Sequence, residues 1–127
     1  MAKKVYICYD ENDQEIANKV CRELEKNRVS CWIKNRDASG TEHEIDEMIS
    51  AIKKSKVMVL IFSKHSKNSD FVKTDVDIAV SKDKPILVFN VDGSEIDGAL
   101  EFYIKDQPFI NAYPNPESQF DNMVFKT

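Results

Sequence analysis

Apolar positions along the chain follow two alternating rhythms. Val5 to Tyr9 is a short run of β-forming residues and predicts a strand. Asp10 to Asp13 supplies N-cap side chains, and Ile16, Ala17, Val20, Cys21 and Leu24 then recur on one helical face, with Asn27 as a stop. Val29 to Ile33 predicts a second strand. Asn35 to Gly40 is polar and turn-forming and reads as a loop. Thr41 with Glu44 three residues on spells a capping box ahead of Ile45, Met48, Ile49 and Ile52 at helical spacing. Val57 to Phe62 is uninterrupted apolar sequence, as expected of a strand covered on both faces, and Ser63 to Asp70 reads as a polar loop.

Phe71 to Val80 fits two periods. Val72, Thr74, Val76, Ile78 and Val80 alternate like a strand, whereas Val72, Val76, Ala79 and Val80 share a helical face. The strand–helix alternation on either side demands a crossover here, so a helix is expected. Pro85 to Val91 predicts a fourth strand, Ala99 to Ile104 a short helix, Pro108 to Ile110 an edge strand, and the tail from Glu117 a weakly amphipathic helix. Five strands alternating with helices predict an α/β fold with a doubly wound parallel sheet, for which the common order 2-1-3-4-5 is expected. In that class ligands bind beyond the carboxyl ends of the strands, where the strand order reverses. The crevice would be lined by Tyr9 and Asp10, by the 34–41 loop and by the 63–70 loop.

Composition narrows the functions. A chain of 127 residues with 42% apolar and 31% charged residues can bury one core. One domain is expected over 1–127, with its core at about 4–113 and a C-terminal helix or tail at 114–127. The net charge of −4 argues against nucleic acid or a membrane surface as partner. No apolar run is long enough to span a bilayer, and the N-terminus lacks the features of a signal peptide. Three cysteines, Cys8, Cys21 and Cys31, in apolar surroundings fit reduced thiols, so a cytoplasmic protein is expected. Three glycines cannot build a glycine-rich phosphate loop, and two histidines lack zinc-ligand spacing, so no metal is expected.

Several stretches together resemble the TIR (Toll/interleukin-1 receptor) domain family in its bacterial and archaeal form, over about residues 4 to 113. They are Val5-Tyr6-Ile7-Cys8-Tyr9-Asp10, Cys31-Trp32-Ile33, Asn35-Arg36-Asp37 with Gly40 in the family's BB loop, and Val59-Leu60-Ile61-Phe62-Ser63. Asn68-Ser69-Asp70-Phe71 through Ala79, Lys84-Pro85-Ile86 and Gly98-Ala99-Leu100-Glu101-Phe102 complete the series. The resemblance implies a flavodoxin-like fold and one of two functions. One is an NAD+ glycohydrolase or cyclase, with NAD+ as substrate, no further cofactor and a role in defence signalling. The other is a non-catalytic scaffold that assembles with other TIR domains. Enzymes of the family use a glutamate four residues after a tryptophan at the start of the third helix; here these positions hold Phe71 and Asp75.

Cleavage of the nicotinamide–ribose bond leaves positive charge on the ribose, which a fixed carboxylate offsets. Asp75 is therefore the candidate catalytic residue. Phe71, Asp75 and Ile78 fall on one helical flank, which sets the acid beside an aromatic able to stack on nicotinamide. Arg36 suits the pyrophosphate, and Tyr9, Asp10, Trp32, Gly40, Ser63 and Ser66 complete the expected substrate wall. Each has a plainer reading: Asp75 as a solvated helix acid, Arg36-Asp37 as an ion pair within the loop, and Trp32 and Phe71 as packing residues. A Cys8–His65 thiol–imidazole pair is disfavoured, because apolar cysteines in strands are usually packing residues. A receiver domain shares the strand order but needs an aspartate ending the third strand, where Phe62-Ser63-Lys64 stands.

Overall fold

The computed structural model describes residues 2–127. Five parallel strands form one sheet: β1 (Val5–Cys8), β2 (Cys31–Ile33), β3 (Val57–Phe62), β4 (Ile86–Asn90) and β5 (Phe109–Asn111). Their order is β2-β1-β3-β4-β5, the common doubly wound order expected above. The register sets Tyr6 beside Trp32 and Met58, and Cys8 beside Leu60. Helices α1 (Gln14–Lys26) and α7 (Phe120–Lys126) contribute to the core on one face; α3 (Glu44–Lys54), α5 (Asp70–Ser81) and α6 (Gly98–Ile104) contribute to the core on the other. Two single turns, α2 (Lys34–Asp37) and α4 (Lys64–Lys67), follow β2 and β3.

All six residues of β3 are buried, because helices cover both sides of the sheet. Strand side chains alternate between faces. Val5, Ile7, Val59 and Ile61 therefore join Val20 and Leu24 in one core, while Tyr6, Cys8, Met58 and Leu60 join Val72, Val76 and Ala79 in the other. On α5 the buried positions are Val72, Asp75, Val76 and Ala79, a spacing of i, i+3, i+4 and i+7. One carboxylate therefore sits in the apolar stripe that packs on the sheet.

Phe71 to Val80 is helical, as expected. Four local readings need correction. Strand β2 begins at Cys31 rather than Val29, because Arg28 adopts φ +66° and the Val29 N–H donates to Leu24 O at 2.9 Å, tying Val29 into the end of α1. The 35–40 loop opens with the turn α2, since the Asp37 carboxylate accepts from the Ile33 N–H at 2.9 Å. Thr41 does not form a capping box with Glu44. Its hydroxyl meets Ser39 at 2.7 Å and accepts from the His43 N–H, so α3 starts at Glu44. The capping box instead lies in the stretch read as a loop. Ser63 accepts from the Ser66 N–H at 3.2 Å, and Ser66 Oγ accepts from the Ser63 N–H at 2.8 Å. Serine stands there in place of the usual Glu or Gln.

Ser63 also donates to the buried Asp13 carboxylate, which fastens the segment after β1 to the end of β3. Ser63→Ala removes that donor and the cap together. It is expected to destabilise the fold by about 2 kcal/mol in urea unfolding, whereas Ser118→Ala, at an exposed turn, is expected to change little.

Candidate functional site

The reversal of strand order falls between β1 and β3, and two adjoining hollows lie there. A crevice of about 210 Å³ is lined by Tyr9, Asp10, Glu11, Lys34, Ser69 and Phe71. A more apolar groove of about 280 Å³ runs between α3 and α5, with Ile45, Met48, Ile49, Phe71, Thr74, Asp75 and Ile78 among its walls. Phe71 borders both. Phe71, Asp75 and Ile78 thus share a flank, as their spacing predicts, and that flank faces a hollow.

Asp75 is 3% exposed, so the solvated-acid reading does not hold for it, whereas Asp70 and Asp77 on the same helix are exposed. Its Oδ2 accepts a hydrogen bond of 2.8 Å from the Tyr6 hydroxyl. The Cys8 thiol lies near the same carboxylate. Tyr6 and Cys8 lie two apart on β1 and so project to the α5 face together. Burial deprives the carboxylate of water and raises its pKa from 3.8 to about 6; the bond from Tyr6, the nearby Cys8 thiol and the charge of Lys34 pull in the opposite direction. Burial, and after it the charge of Asp75, hold the Tyr6 phenol and Cys8 thiol well above their ordinary ranges, so both stay protonated.

Lys34, the first residue past β2, holds its Nζ 4.6 Å from the centre of the Phe71 ring. Glu44 is 3.8 Å from that nitrogen. Ser69 caps α5 by accepting from the Val72 N–H, so the positive end of this helix borders the crevice.

Of the residues expected to line the crevice, Tyr9, Asp10 and Phe71 do so, and Asp75 lines the adjoining groove. Tyr9 accepts a bond from the Asn35 N–H at 3.1 Å, and Asp10 caps the turn at Glu11–Asp13 through the Asn12 N–H at 2.9 Å. The other five are placed elsewhere. Arg36 bonds Glu25 at 2.7 Å, Cys31 O at 2.7 Å and Asp37 at 2.9 and 3.0 Å, so its fork is saturated by the protein. Trp32 stacks on Tyr6 at 5.1 Å and borders a different hollow, with Lys3, Ala51 and Lys54. Ser63 and Ser66 are buried in their mutual cap. Gly40 has φ +71° and open space around it, so the turn needs its backbone freedom.

Sequence reasoning missed Tyr6, weighed Cys8 only as a partner of His65, and placed Lys34 at the crevice only as the start of the 34–41 loop. The first two carried a signal: a buried tyrosine must place its hydroxyl, and strand alternation fixes which helix it can reach. Among the described residues no group of His, Cys, Asp or Glu could hold a metal ion, and no helix is long and apolar enough to cross a membrane.

The fold and this crevice define a doubly wound α/β domain with a carboxylate placed at the reversal of strand order. A model of the TIR domain matches residues 5–124, and the chain belongs to the TIR domain family. No match was found among curated protein sequences. Among solved structures, the TIR domain of the Toll-related receptor TRR-2 from Hydra magnipapillata is 17% identical with a TM-score of 0.78, over 98% of this chain and 97% of that one. The TIR domains of the activated Roq1 resistosome, which recognises the pathogen effector XopQ, are 14% identical with a TM-score of 0.77, covering 98% of each chain. The CMP N-glycosidase BcmB of Clostridium botulinum is 11% identical with a TM-score of 0.72, over 98% of this chain and 100% of that one. At these identities the likeness establishes the fold.

A carboxyl group whose pKa is raised on folding stabilises the fold below its unfolded pKa, and that contribution is lost as pH rises through the folded value. For Asp75 the window runs from 3.8 to about 6. Asp75→Asn is therefore expected to be about 1–3 kcal/mol more stable than the natural chain at pH 7.5, with the gain gone below about pH 4. Urea unfolding at the two pH values measures this.

Proposed function

We propose that this TIR domain is an NAD+ glycohydrolase that cleaves the nicotinamide–ribose bond, releasing nicotinamide and ADP-ribose or a cyclic isomer, in defence signalling. The observation that carries the reading is the Asp75 carboxylate, buried at the wall of a largely apolar groove and held by Tyr6. The fold's likeness to a CMP N-glycosidase adds support, since that enzyme's name denotes cleavage of a base–ribose bond within a nucleotide.

In this reaction the C1′–N bond breaks and its electron pair goes to the nicotinamide nitrogen, which leaves neutral. Positive charge develops on the ribose C1′ and ring oxygen. Asp75, oriented by Tyr6, offsets that charge and accepts hydrogen bonds from ribose hydroxyls. Water then adds to C1′ and gives up a proton, yielding ADP-ribose. Apolar walls from Ile45, Met48, Ile49 and Ile78 suit the planar nicotinamide ring and exclude bulk water. The carboxylate must be ionised, so the rate is expected to fall below about pH 6, where Asp75 takes up its proton.

A second reading has an observation of its own. Ile45 is 71% exposed and continues the apolar wall that Met48, Ile49 and Ile78 give the groove, so an apolar surface is open on this side. A non-catalytic scaffold that assembles with other TIR domains would use this face, and such assembly is compatible with catalysis.

Incubation of the purified domain with NAD+, at micromolar and at near-millimolar protein, followed by chromatography, tests the two. The catalytic reading expects nicotinamide release that falls about a hundredfold or more in Asp75→Asn. Intact NAD+ at both concentrations overturns it and leaves the scaffold; an undiminished rate in Asp75→Asn overturns the assignment of the chemistry to Asp75.

A further inference from the structure

Among the residues that line the crevice, Lys34 supplies the cationic side chain. Its surroundings orient it without exhausting it. The ring of Phe71 lies 4.6 Å below the ammonium, an attraction that fixes the long side chain across the crevice. Glu44 stands 3.8 Å away, beyond the 2.7–2.9 Å typical of a charge-assisted hydrogen bond. The side chain is 43% exposed, so its three N–H donors are open to a ligand. Arg36, in contrast, has every arm of its guanidinium bonded to the protein.

Position adds to this. Phe71 separates the groove that holds Asp75 from the crevice that holds Lys34. A nucleoside whose base enters the groove and whose C1′ faces Asp75 passes its ribose over Phe71, which directs its 5′ end toward Lys34. The two acidic groups in the crevice do not oppose this equally. Asp10 is turned onto its own backbone turn, bonded to the N–H and the side-chain amide of Asn12, while Glu11 is exposed at the rim.

We propose that Lys34 binds the phosphate on the 5′ carbon of the ribose cleaved at Asp75, and so selects nucleotides over nucleosides. The proposal rests on the glycohydrolase reading and adds the group that recognises the substrate's phosphate. That phosphate is common to a dinucleotide such as NAD+ and to a mononucleotide. Lys34 is a binding residue here and has no part in breaking the bond.

Nicotinamide riboside has the same scissile bond and leaving group as NAD+ but no phosphate, so the pair isolates the contact. At pH 8, where Asp75 is ionised with or without the Lys34 charge, the KM for NAD+ in Lys34→Met is expected to rise about tenfold or more, with kcat and nicotinamide riboside turnover within about twofold, and Lys34→Arg restores the KM. Nicotinamide mononucleotide, run alongside, is expected to lose as much as NAD+ if the 5′ phosphate alone is read. A smaller loss for the mononucleotide assigns Lys34 to the outer phosphate and overturns the proposal. Equal losses for NAD+ and the riboside also overturn it, because they mean that Lys34 acts through Asp75 or Phe71. An unchanged KM for NAD+ does the same. If the natural chain cleaves none of these, the glycohydrolase reading falls by itself, and titration with ribose 5-phosphate and ribose, followed by amide NMR, decides the phosphate contact. Shifts around Lys34 and Phe71 with ribose 5-phosphate alone, weakened in Lys34→Met, sustain it; no shift, or equal affinity in Lys34→Met, overturns it.

Discussion

The Tyr6–Asp75 hydrogen bond joins the first strand to the helix that crosses from β3 to β4, in a region where nearly every other contact is apolar. A carboxylate in such a place is costly unless it is well bonded. Tyr6 meets that need from β1, and α5 is thereby pinned over β1 with Phe71 and Ile78 presented toward α3. The placement of the groove, the crevice and Lys34 depends on this pin.

The two faces of the sheet have different characters. On the α1 side the core is closed by Val20, Leu24, Phe120 and Met123, and Arg36 locks the β2 end to α1 through Glu25 and Cys31. On the α5 side an ionisable group interrupts the apolar stripe, and an exposed isoleucine borders a hollow. A residue such as Asp75, which costs the fold stability near neutral pH, fits a position kept for chemistry rather than for packing. Under the proposed reading, one division of labour follows: the groove takes the base, the carboxylate faces the ribose, and the crevice takes the phosphate.

Most of the architecture was legible because it rests on long periodic segments. The unbroken run Val57 to Phe62 announced a covered strand, and the alternation of periods announced a doubly wound parallel sheet, whose order is the common one of that class. The helical spacing of Phe71, Asp75 and Ile78 placed the acid on a hollow's flank. The polar connections were less legible because side chains there compete for the same backbone groups. Thr41 and Glu44 match a capping template, yet Ser39 and His43 engage the threonine, while Ser63 and Ser66 build a cap from an unusual pair. Arg36 was misplaced for a related reason: its charge suits phosphate, but Glu25, eleven residues earlier, reaches it only once α1 and α2 are folded together. Asp75 showed the reverse difficulty. The stripe of Val72, Val76 and Ala79 runs through it, so its burial was present in the pattern, but its partner Tyr6 lies 69 residues away.

The account turns on Asp75 being a buried, tyrosine-bonded carboxyl group that still ionises near neutrality. Carbon-13 NMR of its side-chain carboxyl across pH 3 to 8 observes this directly. A midpoint near 6 that moves higher in Tyr6→Phe is the predicted result. A midpoint near 3.8, unmoved by Tyr6→Phe, is that of a water-exposed aspartate and contradicts the account.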